Sequence, residues 1–525
     1  MKLPLALLLA VAIYPAAAEE PVVPFEKRPD YGVFTSAASA KIDSLILDRL
    51  KPLGIRPANL CSDSVFIRRV YLDLLGTLPT ADEVIGFLND KSSWKRSVLI
   101  DRLLERDEFA DYLGMKWCDL LRVKSEFPVN LWPEGAQAYD HWIRTEIKQN
   151  RPYSEFAWEL LTANGSNFRF PQVNFYRSAG GKDSQSLARM VALTFMGERT
   201  GTWPKSKQEE MAVFFSQIGF KGTQEWKEEI LFFKGIDQAQ NIPVKGVLPD
   251  GTSLVLLPEK DPREAFANWL MTSKNSPFAK NGVNRTWYFL FNRGIIQEPD
   301  DSRPDNPPSN PELLDWLAQE LISARYDMKH IYRLILNSAT YQRSCIPTTD
   351  NPKAAANFAY YPIHGIEAEV LIDVIDQLTE GKEEYSSLTP EPTTFLPETQ
   401  HAITLPDGSI SSTFLELFGR PPRDTGLLSE RRDRPTAAQR LYLLNSSNIL
   451  FKITKSEKLQ ALIKPTTAPV QIVTQLYLTF LSRYPTAEEI RAINAYSLSS
   501  EAKGQAVFLD LAWALINTPE FLYHH

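Results

Sequence analysis

Cysteine is nearly absent from this chain: Cys61, Cys118 and Cys345 are the only three in 525 residues. None lies near another, which excludes a Cys-x-x-Cys pair, a zinc ribbon and a haem-attachment motif. An odd count also limits internal disulfides to one. Glycine is scarce, at 24 residues. His-Glu-x-x-His, Gly-x-Ser-x-Gly and a phosphate-binding loop are missing as well. Gly180-Gly181-Lys182-Asp183-Ser184 lacks the spacing of such a loop and reads as the cap of a helix over Ser186–Met196. Positive charge is not in excess, since 57 Lys and Arg face 64 Asp and Glu for a net charge of −7. A footprint for nucleic-acid phosphates is therefore excluded. Beyond the N-terminus no apolar run approaches the roughly 20 residues that span a bilayer.

What is present belongs to a globular chain, with 43% hydrophobic and 23% charged residues. Proline is plentiful at 37, which suits capped helices joined by proline-bearing connections. Lys2, the apolar stretch Leu3 to Ile13 and Ala16-Ala17-Ala18 read as an export signal over residues 1–18. Its removal takes away Lys2 alone, moves the net charge from −7 to −8, and leaves an exported protein, periplasmic or secreted, with no membrane span.

The pattern predicts a mainly α, multi-helical two-domain protein. Asp261-Pro262-Arg263-Glu264 has the form of a capping box, and Asn310-Pro311 precedes the one-face stripe Leu313, Leu314, Leu317 and Leu321. Val283, Trp287, Leu290 and Phe291 make another stripe, with Gly294 placed to end it. Tyr71-Leu72-Asp73-Leu74-Leu75 before Pro79-Thr80-Ala81-Asp82-Glu83 is echoed by Tyr477-Leu478-Thr479-Phe480-Leu481 before Pro485-Thr486-Ala487-Glu488-Glu489. Helix–turn–helix units are thus expected at both ends. Val244–Val247 and Leu254–Leu257 around Pro249-Asp250-Gly251 predict a minor β hairpin between the halves. The layout is residues 1–18 signal, 19–40 extension, 41–235 first domain, 236–260 linker, and 261–525 second domain with a loop near 380–412.

The chain resembles an exported two-domain family of planctomycetes and verrucomicrobia, made of a PSCyt2-type cytochrome-associated domain and a PSD-type domain (domains of unknown function 1549 and 1553). In the first half the resemblance rests on Phe66-Ile67-Arg68-Arg69-Val70-Tyr71-Leu72-Asp73, then Leu78-Pro79-Thr80, Trp117, Asp119, Trp142 and Pro152-Tyr153. In the second it rests on Asp261-Pro262-Arg263-Glu264, Val283-Asn284-Arg285-Thr286-Trp287, Asn306-Pro307-Pro308-Ser309-Asn310-Pro311, Ser338-Ala339-Thr340-Tyr341, Phe418-Gly419-Arg420-Pro421 and Leu443-Leu444-Asn445-Ser446. Members commonly carry Cys-x-x-Cys-His after Phe-Leu-Gly, which implies covalent haem and electron transfer. Here the run reads Phe195-Met196-Gly197-Glu198-Arg199-Thr200-Gly201-Thr202-Trp203-Pro204. It supplies neither thiols nor histidine, so no haem or other cofactor is expected and electron transfer is disfavoured.

The candidate site residues are polar groups inside or beside these motifs. Asn284 and Arg285 with Asp300 and Asp301 form the best constellation, in which Arg285 holds either a ligand anion or the Asp300-Asp301 loop. Arg68 and Arg69 near Asp73 carry the same ambiguity, with Arg69–Asp73 pairing one helical turn apart as the plain alternative. His364, Glu367, Glu369 and Asp373 make a His–carboxylate group, read as a charged solvated face rather than a metal site. Arg420, Arg423, Arg431, Arg432 and Arg434 read as a salt-bridged loop. Trp132, Trp203 and Trp226 stand outside helical stripes and are candidates for stacking on sugar rings, against the default of core packing. The leading expectation is binding of a partner protein or extracellular glycan. The alternative is a hydrolase on extracellular polymer, with Asp300, Asp301, Glu367 and Glu369 as acid and base.

Overall fold

Capping chemistry places the helix starts. Thr80 accepts from Glu83 N at 3.2 Å while Glu83 accepts from Thr80 N at 2.8 Å, opening the Ala81–Asn89 helix. Thr486 and Glu489 repeat the exchange at 3.2 and 2.7 Å ahead of Ala487–Ser499. Asn310 accepts from Leu313 N at 3.1 Å with Pro311 in the first helical position. At Asp261 the returning partner differs from the expected Glu264. Its carboxylate takes Arg263 N at 3.0 Å and clamps the Arg263 guanidinium at 2.6 Å. The Pro277–Phe291 helix ends at Asn292, which takes the left-handed conformation (φ 48°), and not at Gly294. Asparagine tolerates that conformation, whereas Gly294 serves the next turn, where a Cβ would lie 2.2 Å from Ile296 O.

The computed structural model describes residues 32–235, 243–272, 276–389, 393–432, 434–499 and 501–525. The signal segment 1–18, residues 19–31 of the extension and residues 236–242 of the linker lie outside them. The described chain is mainly α, with short helices from Ala37–Leu50 to Pro519–Leu522 and three small antiparallel sheets. The expected hairpin pairs Val244–Val247 with Ser253–Leu256. Two sheets go beyond the sequence reading. Gly165–Ser166, Glu229–Phe233 and Ile218–Gly222 form one, in which the Phe232 ring lies over Gly219, 2.6 Å from where a Cβ would stand. The other is a two-residue pairing of His364 with His524 and Gly365 with Tyr523.

Two apolar cores form. The first runs from Ile42 to Tyr361 and takes in Leu478; the second runs from Ile366 to Phe521 and takes in Leu72, Leu78, Tyr112 and Met115. Leu248 and Leu256 from the linker hairpin pack in the first core, so helices on both sides of 236–260 share one interior.

The end units are helix–turn–helix pairs, Asp63–Leu75 with Ala81–Asn89 and Pro469–Leu481 with Ala487–Ser499. They are tied together by Arg68, whose guanidinium donates to Phe480 O and Phe521 O at 2.9 Å each.

Candidate functional site

The family-like arginines are structural pins. Arg69, fully buried, donates to His525 O, Tyr341 O and Arg343 O at 2.7–2.9 Å and lies 3.8 Å over the Tyr361 ring. It therefore does not make the expected one-turn pair with Asp73. Arg285 reaches Thr194 O, Leu193 O at 2.9 Å and Asp300 at 3.0 Å. Those carbonyls belong to the π-helical turn Ala192–Met196, whose widened geometry leaves acceptors free for a side chain. The second Asp300 oxygen takes Leu428 N at 2.6 Å. Asn284 closes both its amide groups on Ile296, and Asp301 pairs with Arg303 at 3.2 Å. The constellation holds loops together.

The basic stretch is salt-bridged, but by carboxylates from other elements. Arg431 clamps Glu369 at 2.6 and 3.1 Å and Asp119 at 2.6 Å, Arg423 bonds Asp119 at 2.9 Å, and Arg420 stands 3.5 Å from Glu369. Burial opposes ionisation of Glu369, yet Arg431 and Arg420 hold its carboxyl below the usual range. Asp300 and Glu369 thus have both oxygens occupied and sit in separate clamps.

The His–carboxylate group departs most from its sequence reading. His364 lies in a strand and not on a helix face, because its backbone pairs with His524. Glu367 stands at the N-cap position of the Ala368–Thr379 helix without a side-chain cap bond, and Glu369 and Asp373 are buried while His364 and Glu367 are half-buried, not a solvated face. Asp73 arrives from the Asp63–Leu75 helix. His524 Nδ1 lies 2.8 Å from Asp73 Oδ1, and its Nε2 lies 3.7 Å from Glu367 Oε2. The His364 and His524 rings stack at 4.4 Å. Lys116 pairs with Glu367, and Tyr112 donates to it at 2.9 Å. Burial alone would lower the His524 pKa, but the two carboxylates raise it to about 9; burial and the adjacent His524 lower that of His364 to about 4. Lys116, His364 and Glu367 open onto a narrow cleft of about 50 Å³, also lined by Asp119, Tyr288, Phe289 and Arg431.

The second feature is on the surface. Trp226, 74% exposed, caps the Ile218–Gly222/Glu229–Phe233 hairpin and meets Trp132 edge-to-face, with ring centres 6.4 Å apart. Lys227 Nζ stands 5.2 Å from one ring and 5.3 Å from the other. Trp132 (φ 69°) and Lys227 (φ 61°) both occupy the left-handed side of φ, a strain of about 1–3 kcal/mol each for residues with a Cβ. The Trp132 loop is anchored at its other end by Ser125 N on Asp407 at 2.9 Å. Trp203, the third candidate, is tied down: its indole donates to Glu198 at 3.0 Å under Lys207.

The fold and these sites define a helical two-module protein with a charged interior cluster and an aromatic corner on its surface. Residues 41–216 match the PSCyt2 family, described as a protein of unknown function (DUF1549), and residues 262–497 match PSD1, a protein of unknown function (DUF1553). The chain belongs to the two-domain family that joins them. No curated protein and no solved structure matches it. Among the described residues no helix is long and apolar enough to cross a membrane.

Proposed function

We propose that this is an exported, haem-less binding protein that takes an extracellular glycan on the Trp132–Trp226 corner. The observation that carries the reading is the corner itself: Trp226 is left 74% exposed while Trp132 is held beside it on strained backbone. A large apolar ring in water is a marker of recognition when a partner ring and a polar rim accompany it. The C–H face of a sugar ring fits such a corner, with Lys227 and the exposed Glu225 available to its hydroxyls. With Trp132 half-buried, the corner offers less than the roughly 300–500 Å² of two whole rings, well short of the roughly 800 Å² that a stable protein partner covers on each side, which favours a sugar over a protein. The net charge of −7 opposes nucleic-acid bases as the stacking ligand. Export is supported by the signal-like N-terminus and the family's character.

The test is a screen of soluble polysaccharides and oligosaccharides with product analysis on the same samples. The expected result is saturable binding of a glycan, quenching tryptophan fluorescence, with the glycan recovered intact. Shortened products would replace this reading with the hydrolase, and a screen without binding would remove it.

A further inference from the structure

Asp73, His364 and His524 each place one ligand-capable atom within 4.8 Å of the others, a convergence that the glycan reading does not use. We propose that they bind one divalent transition-metal ion of the zinc class as three protein ligands, leaving a fourth position open.

The first support is a set of buried polar atoms left over. Both ring nitrogens of His524, Asp73 Oδ1 and Glu367 Oε2 have no aligned hydrogen-bond partner, although His524 is only 1% exposed. A buried polar atom without an aligned bond costs about 1–3 kcal/mol, and His524 and Asp73, 2.8 Å apart, meet as an ion pair without one. One cation would satisfy Asp73 Oδ1 and a single His524 nitrogen together.

The second support is how the remaining atoms are spent. Asp73 Oδ2 accepts from Tyr341 OH at 2.7 Å and Tyr361 OH at 3.1 Å. Glu367 Oε1 is held by Tyr112 and Lys116. His364 Nδ1 sits 3.1 Å from Pro362 O, so it donates there and leaves Nε2 with its lone pair. Asp73 and His364 are thus each oriented through a second atom, the arrangement by which proteins aim metal ligands. Two imidazoles with one carboxylate suit zinc, whereas calcium and magnesium call for oxygen alone. His524 and Asp73, 2.8 Å apart, must open to about 3.3 Å, the separation set by tetrahedral bonds of about 2.0–2.1 Å. The cleft at His364 and Glu367 supplies the way in.

The competing account is that His524 is an imidazolium balancing the two carboxylates without metal. Chelator-stripped mature protein titrated with zinc against a chromophoric chelator separates them. The proposal expects one equivalent per chain, an affinity lowered more than about 100-fold by His364→Gln or His524→Gln, beyond the 10–100-fold of outer-shell changes, and no change for His401→Gln at an exposed histidine. Cobalt in the unaltered protein, where folding of a variant is not at issue, should give the intense visible bands of a four-coordinate ion. Absence of stoichiometric zinc, unchanged affinity in a folded His364→Gln/His524→Gln double variant, or only weak six-coordinate cobalt bands would overturn it.

Discussion

The two end units solve one packing problem with differently sourced parts. In the first, Tyr71 and Glu83 are joined by Arg106, which lies 5.8 Å from the Tyr71 ring, 3.3 Å from Glu83 and 2.6 Å from Glu108. In the last, Tyr477 and Glu489 are joined by Arg483, at 5.2 Å from the ring, 2.8 Å from Glu489 and 2.6 Å from Glu520. The tyrosine and carboxylates occupy matching sequence positions, but the arginine is the N-cap of the Asp107–Leu120 helix in one unit and comes from the turn in the other. The shared quartet is scaffold. The units diverge at Asp73, where the repeat has Thr479, and Asp73 is the residue that meets His524. The aromatic corner stands on neither unit. Both proposed ligand sites therefore lie where the repeat is broken or interrupted.

The largest expected effect falls on the buried quartet. Arg483 is 5% exposed, and Arg483→Ala strands Glu489 and Glu520, so chemical denaturation should show a loss of about 3 kcal/mol. Arg106 is 33% exposed, and Arg106→Ala should cost at most about 1 kcal/mol. Equal losses would break the comparison.

Next comes pH. Burial pushes the Asp373 carboxyl up to about 7, although Ala402 N and Ile403 N donate to it at 2.7 and 3.0 Å. Asp376 and Glu369 add to the rise, and His401 stands 4.0 Å away. A folded pKa above the unfolded 3.8 gives stability that is full below about pH 4 and lost as pH rises through 7. The end unit runs the other way. Burial opposes ionisation of Glu489, but Arg483 and Thr486 outweigh it, so its stabilisation is present above pH 4.5 and lost as pH falls below that value. Urea midpoints from pH 3 to 8 should flatten at the alkaline end in Asp373→Asn and at the acid end in Glu489→Gln.

Smaller again are the caps. Thr80→Ala and Thr486→Ala should each cost about 1 kcal/mol by thermal or urea unfolding, since each removes one acceptor from a helix start.

Such caps were legible because they are local: Thr80 and Glu83 find each other within one turn. The helical class and the hairpin followed for the same reason. The pin of Arg285 on Asp300 was legible as one of two readings, but the bonds of Arg68, Arg69 and Arg285 to backbone carbonyls were not, because a carbonyl leaves no trace in residue identity. The small sheet was hidden by the glycines of Ile218–Gly222, which read as breakers. His524 escaped notice since a two-residue strand has no periodicity, and only the fold brings it to Asp73 and His364. Trp132 and Trp226 were picked out singly, but their pairing depends on a loop and a hairpin far apart in sequence.

The most direct measurement is fluorescence titration of the parent and Trp226→Ala with the tightest-binding glycan of the screen, each also melted in its absence. The account predicts binding weakened at least tenfold, with stability unchanged within about 0.5 kcal/mol because Trp226 is already in water. Undiminished affinity in the folded variant would contradict it.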